Sequence, residues 1–569
     1  MKKNDDIIST AEGYGTEGEA VFMHEGSPVF VPYCLAGERA EIKILAVKGS
    51  VAYGKCRRVL SPSPDRVPPP CPVFEKCGGC QLQHMSYAAQ LAFKTDLIKN
   101  TLKKIAGIEA DVLPASASAR QYNYRNKLVL PVGVNASGET VIGFYAARSH
   151  RIVPVDNCSI QAGWCSKIIA IVKAYMRGNG LKGYDEERRC GDIRRVAVRE
   201  VGGRYIVALV AAKAVNCSPL ADMLKKELGE ITLLLNINRS QGNGIFGGEW
   251  RTVFGEGFFE GEDMGIKFRA GANTFLQVND GVRTELYGEI VREAADGGAV
   301  AIDLYSGGGM LTALLARACK AAYGIEVVKE ASICADELRD MNGLSGRMTN
   351  ICGKVEDELA GVFERTLGER RVIVCDPPRK GMERSVVEAV KDSGADKIIL
   401  VSCNPATLAR DLGLLLGALK DEDGILKKDP TYAATSAYKI DYIRPYDMFP
   451  QTRHVETLVL LSKKKPDSHI VVDVEFGEGE GKISLKDALK RAEGRKPKSK
   501  TTYKDIQNYV EENYGFKVHT AYIAEVKRNL GLPMYDAPNA VEELKRPRSH
   551  PTEKMVLAIK ETLAHFEII

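Results

Sequence analysis

Residues 299–319 read AVAIDLYSGGGMLTALLARAC, and this stretch decides the fold of the second half of the chain. Residues 299–304 form a short apolar run typical of a buried strand, residues 305–309 are rich in glycine, and residues 310–319 have a helical composition. A strand, a glycine turn and a helix in this order begin a doubly wound parallel sheet that binds a nucleotide at the turn. We therefore predict an α/β domain with its ligand at the carboxyl ends of the strands.

The glycine turn restricts the kind of ligand. It has neither the G-x-G-x-x-G spacing of dinucleotide-binding turns nor the lysine of a P-loop, which disfavours dinucleotides and ATP. A second strand, Ala321–Ile325, is followed by Glu326, about twenty residues after the turn, which is the offset expected for an acid that binds ribose hydroxyls. A ribose acceptor without a phosphate cradle favours S-adenosylmethionine as the ligand.

Two more predicted strands end at the same edge of the sheet. The strand Arg371–Cys375 is followed by Asp376 and two prolines, which hold the loop open so that the carboxylate faces the crevice. The strand Ile398–Ser402 is followed by Cys403, directly before a helix that starts after Pro405. A helix start can lower the pKa of a thiol towards a reactive thiolate, but a cysteine at this place can equally be a small buried hydrophobe.

The last strand of the sheet is predicted at Val455–Leu461, with His454 and Glu456 at its entrance. Either side chain is a candidate general base in the crevice. The alternative for each is a solvated residue at the end of a strand.

A second candidate site lies near the N-terminus, where Cys71, Cys77 and Cys80 follow a C-x5-C-x2-C pattern. Thiolates are soft ligands for zinc or for an iron–sulfur cluster, and either group needs a fourth ligand. The candidates for this fourth ligand are Cys158, Cys165 and Cys190, with His84 as a further ligand for zinc.

The composition indicates a soluble protein. The 569 residues carry a net charge of +5 and include no apolar run near the ~20 residues that a membrane helix needs. The first ten residues contain two lysines but no apolar segment of a signal peptide. We therefore expect a cytoplasmic protein with no membrane partner, in which the 14 cysteines do not form a disulfide framework.

The chain is predicted to contain four domains. Short strands broken by glycines indicate a barrel at the N-terminus, and alternating strands with one clear helix follow it. The predicted domains are a β-barrel at 1–62, an α+β domain at 63–265, a Rossmann-like domain at 266–465, and a basic linker with a small helical domain at 466–569.

Basic segments suggest contact with RNA. Eight lysines and arginines lie within residues 486–504, and for the tail an RNA contact and a protein-docking role both remain open. A mixed aromatic and basic cluster, which suits RNA but also an ordinary edge strand, consists of Arg120, Tyr122, Tyr124, Arg125 and Lys127.

The ordered motifs of the chain resemble those of the RNA 5-methyluridine methyltransferases, the uracil-C5 family of S-adenosylmethionine enzymes. They are FLQVN (275–279), DLYSGGG (303–309), GIE (324–326), DPPRKG (376–381), SCNPATLARD (402–411) and DMFPQTRHVET (447–457). The resemblance covers residues 8–463 and departs from the family at Ser306, where many relatives carry cysteine.

The resemblance implies a role for each part of the chain. The barrel is expected to be a TRAM domain, an RNA-binding module of OB-like shape, and the central domain to hold a four-iron–four-sulfur cluster, with zinc as the alternative. The implied cluster ligands are Cys71, Cys77, Cys80 and Cys158. The implied ligands of S-adenosylmethionine are Gln277, Tyr305, Glu326 and Asp376.

The implied reaction is methylation of C5 of a uridine. Cys403 is the implied nucleophile that adds to C6 of uracil, and Glu456 is the implied base that removes the C5 proton. A TRAM domain with a cluster resembles the 23S ribosomal RNA enzymes, so we expect a 23S uridine as substrate and a monomeric enzyme. The alternatives are a tRNA (uracil-5-)-methyltransferase and a non-catalytic RNA-binding iron–sulfur protein. A DNA cytosine-C5 methyltransferase is disfavoured because no proline precedes Cys403.

Overall fold

The computed structural model of the protein describes residues 1–242, 244–274, 276–422, 424–464, 503–529 and 551–565. The chain divides into two compact units, residues 1–468 and residues 469–569. Phe275 of the FLQVN motif and most of the predicted basic linker, including residues 466–502, lie outside the described residues.

The N-terminal strands close into a five-stranded barrel, as predicted. Its strand order is β1-β2-β3-β5-β4, and apolar side chains such as Phe22, Ile42 and Ile44 fill the interior. The strands are β1 (Asp6–Tyr14), β2 (Ala20–His24), β3 (Ser27–Val31), β4 (Arg39–Lys48) and β5 (Val51–Ser61).

The central part of the chain forms a seven-stranded sheet with the order β12-β11-β10-β9-β6-β7-β8. The predicted alternation of strands with a clear helix is present. The strands are β6 (Lys127–Val134), β7 (Thr140–Tyr145), β8 (Ile152–Pro154), β9 (Ile193–Val201), β10 (Arg204–Ala211), β11 (Ile231–Ile237) and β12 (Glu249–Phe254). The helices are α1 (Tyr87–Ala106), α2 (Trp164–Gly178) and α3 (Ser218–Leu228).

Helix α1 precedes this sheet in the sequence but packs elsewhere. Its buried residues Phe93, Leu97 and Ile98 belong to one apolar core with Ile398 and Leu412 of the second large sheet domain. The side chain of Ser86 begins the helix by accepting a hydrogen bond from the backbone N–H of Ala89. A segment from the central region is therefore part of the core that supports the candidate active site.

The predicted Rossmann-like sheet has seven strands in the order β17-β16-β15-β18-β19-β23-β22. Strands β15 to β19 are parallel, and the hairpin β22–β23 adds to β19 in the antiparallel direction. The strands are β15 (Ala299–Leu304), β16 (Ala321–Glu326), β17 (Met348–Cys352), β18 (Arg370–Cys375), β19 (Lys397–Ser402), β22 (Tyr438–Tyr446) and β23 (Glu456–Lys463). Because β23 runs against its neighbour, its first residue lies at the edge where the parallel strands end.

Helices cover both faces of this sheet, and two hairpins border it. The helices are α4 (Asp280–Ala294), α5 (Met310–Ala318), α6 (Lys329–Met341), α7 (Val355–Arg365), α8 (Arg384–Asp392), α9 (Pro405–Leu416) and α10 (Tyr432–Thr435). The hairpins are β13 (Phe258–Asp263) with β14 (Ile266–Gly271), and β20 (Leu419–Glu422) with β21 (Ile425–Lys428).

The described residues of the second compact unit form three helices, in agreement with the predicted small helical domain. They are α11 (Tyr503–Tyr514), α12 (Thr520–Asn529) and α13 (Glu553–His565). Ile506, Val510, Ile523, Ile559 and Leu563 are buried together in a small apolar core. Among the described residues of the whole chain, no helix has the length and apolar composition to cross a membrane.

Candidate active site

A cleft lies beside the glycine turn at the carboxyl ends of β15 and β18. Three of the predicted ligands of S-adenosylmethionine, Gln277, Tyr305 and Asp376, line it together with Asp303. Gly309 begins α5 with a φ of +80°, and a Cβ atom there would lie 2.7 Å from the Cβ of Ala335. The turn can therefore approach α6 only because this position is glycine.

Glu326, the fourth predicted ligand, does not line the cleft but fixes the turn beside it. Its Oε2 accepts a hydrogen bond of 2.9 Å from the backbone N–H of Gly307, and its Oε1 accepts one of 2.7 Å from Val328. Both oxygens keep a free lone pair, since a carboxylate oxygen accepts two hydrogen bonds. The acid at the end of β16 thus has a structural contact in addition to its predicted role with ribose.

Two buried carboxyl groups lie on the floor of the cleft. Burial raises the pKa of Asp303 to about 7, and the hydroxyl of Thr312 donates a 2.6 Å hydrogen bond to it. Asp376 as a residue is half-exposed because it borders the cleft, but its carboxyl group is surrounded by protein, and this burial raises its pKa. The cleft therefore favours a ligand that brings positive charge or hydrogen-bond donors to these acids.

Cys403 lies where the sequence predicts it, between the end of β19 and the start of α9. Asn404 caps this helix by accepting a hydrogen bond of 3.1 Å from the N–H of Ala406, and its Nδ2 donates one of 2.9 Å to the carbonyl of Arg379. Thr407 also donates to the carbonyl of Arg379. The motifs SCNPATLARD and DPPRKG are therefore held together around the thiol.

The pKa of the Cys403 thiol differs from the expectation for a helix start. Burial and then the carboxylate of Glu456 raise this pKa above its ordinary value, with a smaller contribution from Asp376. Arg379 acts in the opposite direction through its charge and a hydrogen bond to the thiol. The pKa is therefore raised although the thiol lies at a helix start, because burial and the negative neighbours outweigh the helix start and the arginine.

Glu456 and His454 have different environments at the entrance of β23. Ser402 and Thr457 form the last pair of the antiparallel ladder, so Cys403 and Glu456 both lie at this end of it, and the charge of Glu456 acts on the thiol. Burial and then the charge of Asp376 raise the pKa of Glu456 well above its ordinary value. Burial lowers the pKa of His454 to about 4, so the imidazole is neutral at neutral pH. Glu456 is therefore not the solvated strand end that was the alternative.

Arg379 is a residue of this site that the sequence analysis did not single out. Its charge lowers the pKa of Cys403, of Glu456 and of His454, so it is close to all three. The available signal was its place within the DPPRKG motif, three residues after Asp376. The proximity to Cys403 follows from the neighbouring positions of β18 and β19, which the motif alone does not specify.

The second candidate site gathers the four predicted cysteines. Cys71, Cys80 and Cys158 pack in one small cluster, and the pKa of Cys80 is raised to about 12 by burial and by the thiols of Cys158, Cys77 and Cys71. The N–H of Gly79 lies 3.4 Å from the sulfur of Cys77, in hydrogen-bonding position. Two other cysteines were candidates for the fourth ligand. Cys165 is fully buried near Cys158, whereas Cys190 is exposed.

His84 does not join these cysteines as a ligand of a single ion. It is buried against the rings of Tyr33 and Phe74, with neither ring nitrogen in a side-chain hydrogen bond. Within the described part of the chain, no group of three or more histidines, cysteines, aspartates or glutamates is arranged to hold one metal ion. The four thiols are therefore neighbours, but they are not drawn together around one atom.

The aromatic residues of the predicted RNA cluster are used for packing. Tyr124 is buried, and its hydroxyl donates a 3.1 Å hydrogen bond to the carbonyl of Pro450. Tyr122 packs against the cysteine cluster. For Tyr124 the structure favours the alternative of ordinary packing over a contact with RNA bases, because the ring is enclosed between the cysteine segment and the loop before β23.

Comparison with known proteins agrees with this geometry. Residues 369–464 match the family model described as tRNA (Uracil-5-)-methyltransferase. An uncharacterised RNA methyltransferase of Halalkalibacterium halodurans is 35% identical over 471 residues, which are 82% of this chain and 98% of that protein. The chain belongs to the RNA 5-methyluridine methyltransferase family. It is a methyltransferase, as the resemblance of its motifs implies.

Two further relatives of this methyltransferase extend the comparison. An uncharacterised RNA methyltransferase of Clostridium tetani is 35% identical, over 81% of this chain and 97% of that protein. The crystal structure of the Pyrococcus abyssi tRNA (uracil-54, C5)-methyltransferase in complex with S-adenosyl-L-homocysteine aligns with a TM-score of 0.61 and 23% identity. The alignment covers 80% of this chain and 99% of the Pyrococcus abyssi chain, which shows that the two proteins share a fold.

The opposing charges around Cys403 lead to a prediction about its reactivity. In Arg379→Met the cation that favours the thiolate is lost, so the pKa of Cys403 rises and its alkylation by iodoacetamide shifts to higher pH. In Glu456→Gln an anion is lost, so the alkylation profile shifts to lower pH. The measurement is the alkylated fraction of the peptide that contains Cys403, by mass spectrometry across pH.

The control for this experiment is Lys380→Met. Lys380 is exposed and paired with Glu383, and it is not among the charges that act on Cys403. Its loss should leave the profile unchanged. Equal shifts for Arg379→Met and Lys380→Met would contradict the specific contact between Arg379 and the thiol.

Proposed function

We propose that this methyltransferase transfers the methyl group of S-adenosylmethionine to C5 of a uridine in RNA, through a covalent bond between Cys403 and C6 of the base. The observation that carries the proposal is the pairing of Ser402 with Thr457, which brings Cys403 and Glu456 to the same end of two adjacent strands, where the charge of Glu456 acts on the thiol. A nucleophile and a base that lie close together can act on neighbouring atoms of one planar ring. C6 and C5 of uracil are such atoms.

The chemistry requires a nucleophile because C5 of uracil reacts poorly with a sulfonium methyl group. When the Cys403 thiolate adds to C6, the electrons of the C5–C6 double bond are delocalised over C5 and O4. C5 then attacks the methyl group, and the carbon–sulfur bond of the donor breaks to leave neutral S-adenosylhomocysteine. Arg379 supports the first step because its charge favours the thiolate.

The second half of the reaction requires a base. Glu456 takes the proton from C5, the electrons of that bond restore the C5–C6 double bond, and the bond from C6 to Cys403 breaks. Burial and the nearby Asp376 raise the pKa of Glu456, so its carboxylate is a stronger base than that of an exposed glutamate. His454 is a weaker candidate because its buried ring resists protonation.

The methyl donor is proposed to bind in the cleft beside the glycine turn. Gln277, Tyr305 and Asp376 line this cleft, and Glu326 lies at its rim through the contact with Gly307. The strand ends that carry these residues are the usual ligand edge of a doubly wound sheet. The sulfonium charge of the donor suits a cleft whose floor carries Asp303 and Asp376.

Cys71, Cys77, Cys80 and Cys158 are proposed to hold a four-iron–four-sulfur cluster. Four thiols in one neighbourhood supply the ligands, and backbone N–H groups point at the sulfurs of Cys77 and Cys158, as hydrogen bonds do in cluster sites. A single zinc ion with bonds of roughly 2.3 Å to each sulfur would need the thiols drawn closer together. A bound cluster would link the segment after the barrel to the central sheet, since Cys158 follows β8.

The proposed RNA is 23S ribosomal RNA, with the N-terminal barrel as a TRAM domain that contacts it. Lys48, Lys55, Arg57 and Arg58 are exposed on the barrel, although the two arginines are paired with Asp6 and Glu41. A transfer RNA is the second candidate, because the Pyrococcus abyssi enzyme of the same fold is named for uridine 54 of tRNA. In either RNA the uridine has to leave its stack to reach Cys403.

The central test measures tritium release from uridine labelled at C5, in 23S ribosomal RNA and in transfer RNA, with S-adenosylmethionine present. We expect release from ribosomal RNA, no turnover by Cys403→Ala, and a stable RNA–protein adduct with Glu456→Gln. Cys190→Ala, which removes an exposed and distant thiol, should behave as the unchanged protein. Release from transfer RNA alone would assign the second substrate, and full turnover by Cys403→Ala would contradict the mechanism.

The cysteine centre gives an independent prediction. Protein purified without oxygen should be brown and contain iron and sulfide, and Cys80→Ser should lose both, because Cys80 is the most deeply buried of the four thiols. Cys190→Ser should retain them. A colourless protein with one zinc ion per chain would contradict the cluster and support the alternative metal.

A further inference from the structure

The loop that joins β22 to β23 leads directly into Glu456, the proposed general base. The antiparallel ladder of this hairpin ends at the pair Tyr446 and Glu456, so residues 447–455 form the connection. Asp447 and Gln451 in this loop are almost completely buried. The conformation of the loop therefore determines where Glu456 stands relative to Cys403.

Helix α1 holds the beginning of this loop through a buried charge. Lys94 forms an ion pair with Asp447, and neither side chain is exposed to solvent. The same ammonium group donates a hydrogen bond of 3.2 Å to the carbonyl of Phe449. A buried pair of this kind keeps its partners in one arrangement, because separating them leaves an uncompensated charge in the interior.

Helix α1 also holds the middle of the loop. The amide of Gln90 donates a 3.0 Å hydrogen bond to the Oε1 of Gln451, and its own oxygen accepts one of 3.1 Å from the backbone N–H of Gln451. Gln451 has a φ of +70°, which is unfavourable for a residue other than glycine. Such a conformation persists only where the surroundings impose it.

The segment that follows Cys80 completes this arrangement. The backbone N–H groups of Gln81 and Leu82 donate hydrogen bonds of 3.1 and 3.0 Å to the carbonyl of Gln451. Gln90 also donates to the carbonyls of Leu82 and Met85. Helix α1 and the cysteine segment are thus one support for the loop, although they precede it by more than 300 residues.

We propose that Gln90 and Lys94 are positioning residues for the base Glu456. They act on Glu456 through the loop 447–455, while Cys403 and the cleft are carried by other strands. This inference rests on the proposed function, since it assumes that Glu456 removes the C5 proton. It adds that the second half of the reaction depends on a helix outside the Rossmann-like sheet.

If Gln90 and Lys94 position Glu456, their loss should affect removal of the C5 proton but not the transfer of the methyl group. A loosened loop leaves addition of Cys403 and transfer of the methyl group in place, because neither step uses Glu456. It slows removal of the C5 proton, so the methylated adduct between Cys403 and RNA accumulates. A general loss of folded protein would instead lower all steps together and produce no adduct.

The test compares Gln90→Met and Lys94→Met with the unchanged protein and with Glu456→Gln. We expect kcat to fall about tenfold or more, since general-base catalysis contributes at least this factor, with little change in the KM for RNA. We also expect the methylated adduct on denaturing gels and a larger isotope effect with uridine deuterated at C5. Leu102→Ala is the control, because it truncates a buried residue of α1 that belongs to the apolar core.

A further variant covers the case in which Lys94→Met does not fold. In Lys94→Met with Asp447→Leu both charges are removed, so no uncompensated charge is left in the interior, and such paired replacements are often neutral for stability. This double variant still lacks the ammonium group that donates a hydrogen bond to the carbonyl of Phe449, so the methylated adduct should accumulate. Folded variants without adduct and without an increased isotope effect would overturn the proposal, as would equal adduct formation by Leu102→Ala. If the unchanged protein and Glu456→Gln form no methylated product with any RNA, the proposed function itself fails.

Discussion

The antiparallel pairing of β23 with β19 is the constraint on which the site depends. Parallel strands alone would bring only carboxyl ends to the ligand edge of the sheet. Because β23 runs in the opposite direction, its first residue, Glu456, reaches this edge, directly before Thr457, the partner of Ser402. Its charge therefore acts on the thiol of Cys403, which follows Ser402. A single reversed strand thus places a carboxyl group next to a thiol.

This closeness has an electrostatic consequence. Glu456 and Asp376 disfavour the Cys403 thiolate, and burial disfavours all three charges. Arg379 is the nearby cation that opposes these effects. In the proposed reaction the methyl donor brings a second positive charge into the cleft that Asp376 lines. In that reaction the charge of the donor would favour the thiolate of Cys403.

Much of this architecture follows from the sequence, since the glycine turn, the strand ends and the cysteine spacing are local patterns. The residues Glu326, Asp376 and Cys403 could be assigned to one edge because each follows an apolar run of strand length. The pKa of Cys403 could not be predicted, because it depends on Glu456 across the strand register and on Arg379 from another strand. The buried contact of Tyr124 with Pro450 joins residues 326 positions apart, and no local pattern indicates it.

The contacts of α1 with the loop 447–455 could likewise not be predicted from the sequence. Gln90 and Lys94 lie on an amphipathic helix where polar residues are expected to face solvent. Their burial follows from the position of α1 between the cysteine segment and the loop before β23, where both sides of the helix meet protein. The N-terminal half of the chain and the Rossmann-like sheet therefore share one interior at the site.

The most direct test of the central claim uses RNA in which the uridines carry fluorine at C5. The base cannot remove fluorine as it removes a proton, so the account predicts that the reaction stops after methyl transfer. Mass spectrometry of the digested complex should then find a methylated fluorouridine bound to the peptide that contains Cys403. An enzyme that methylates unsubstituted RNA but forms no such adduct, or forms it on another cysteine, would contradict the account.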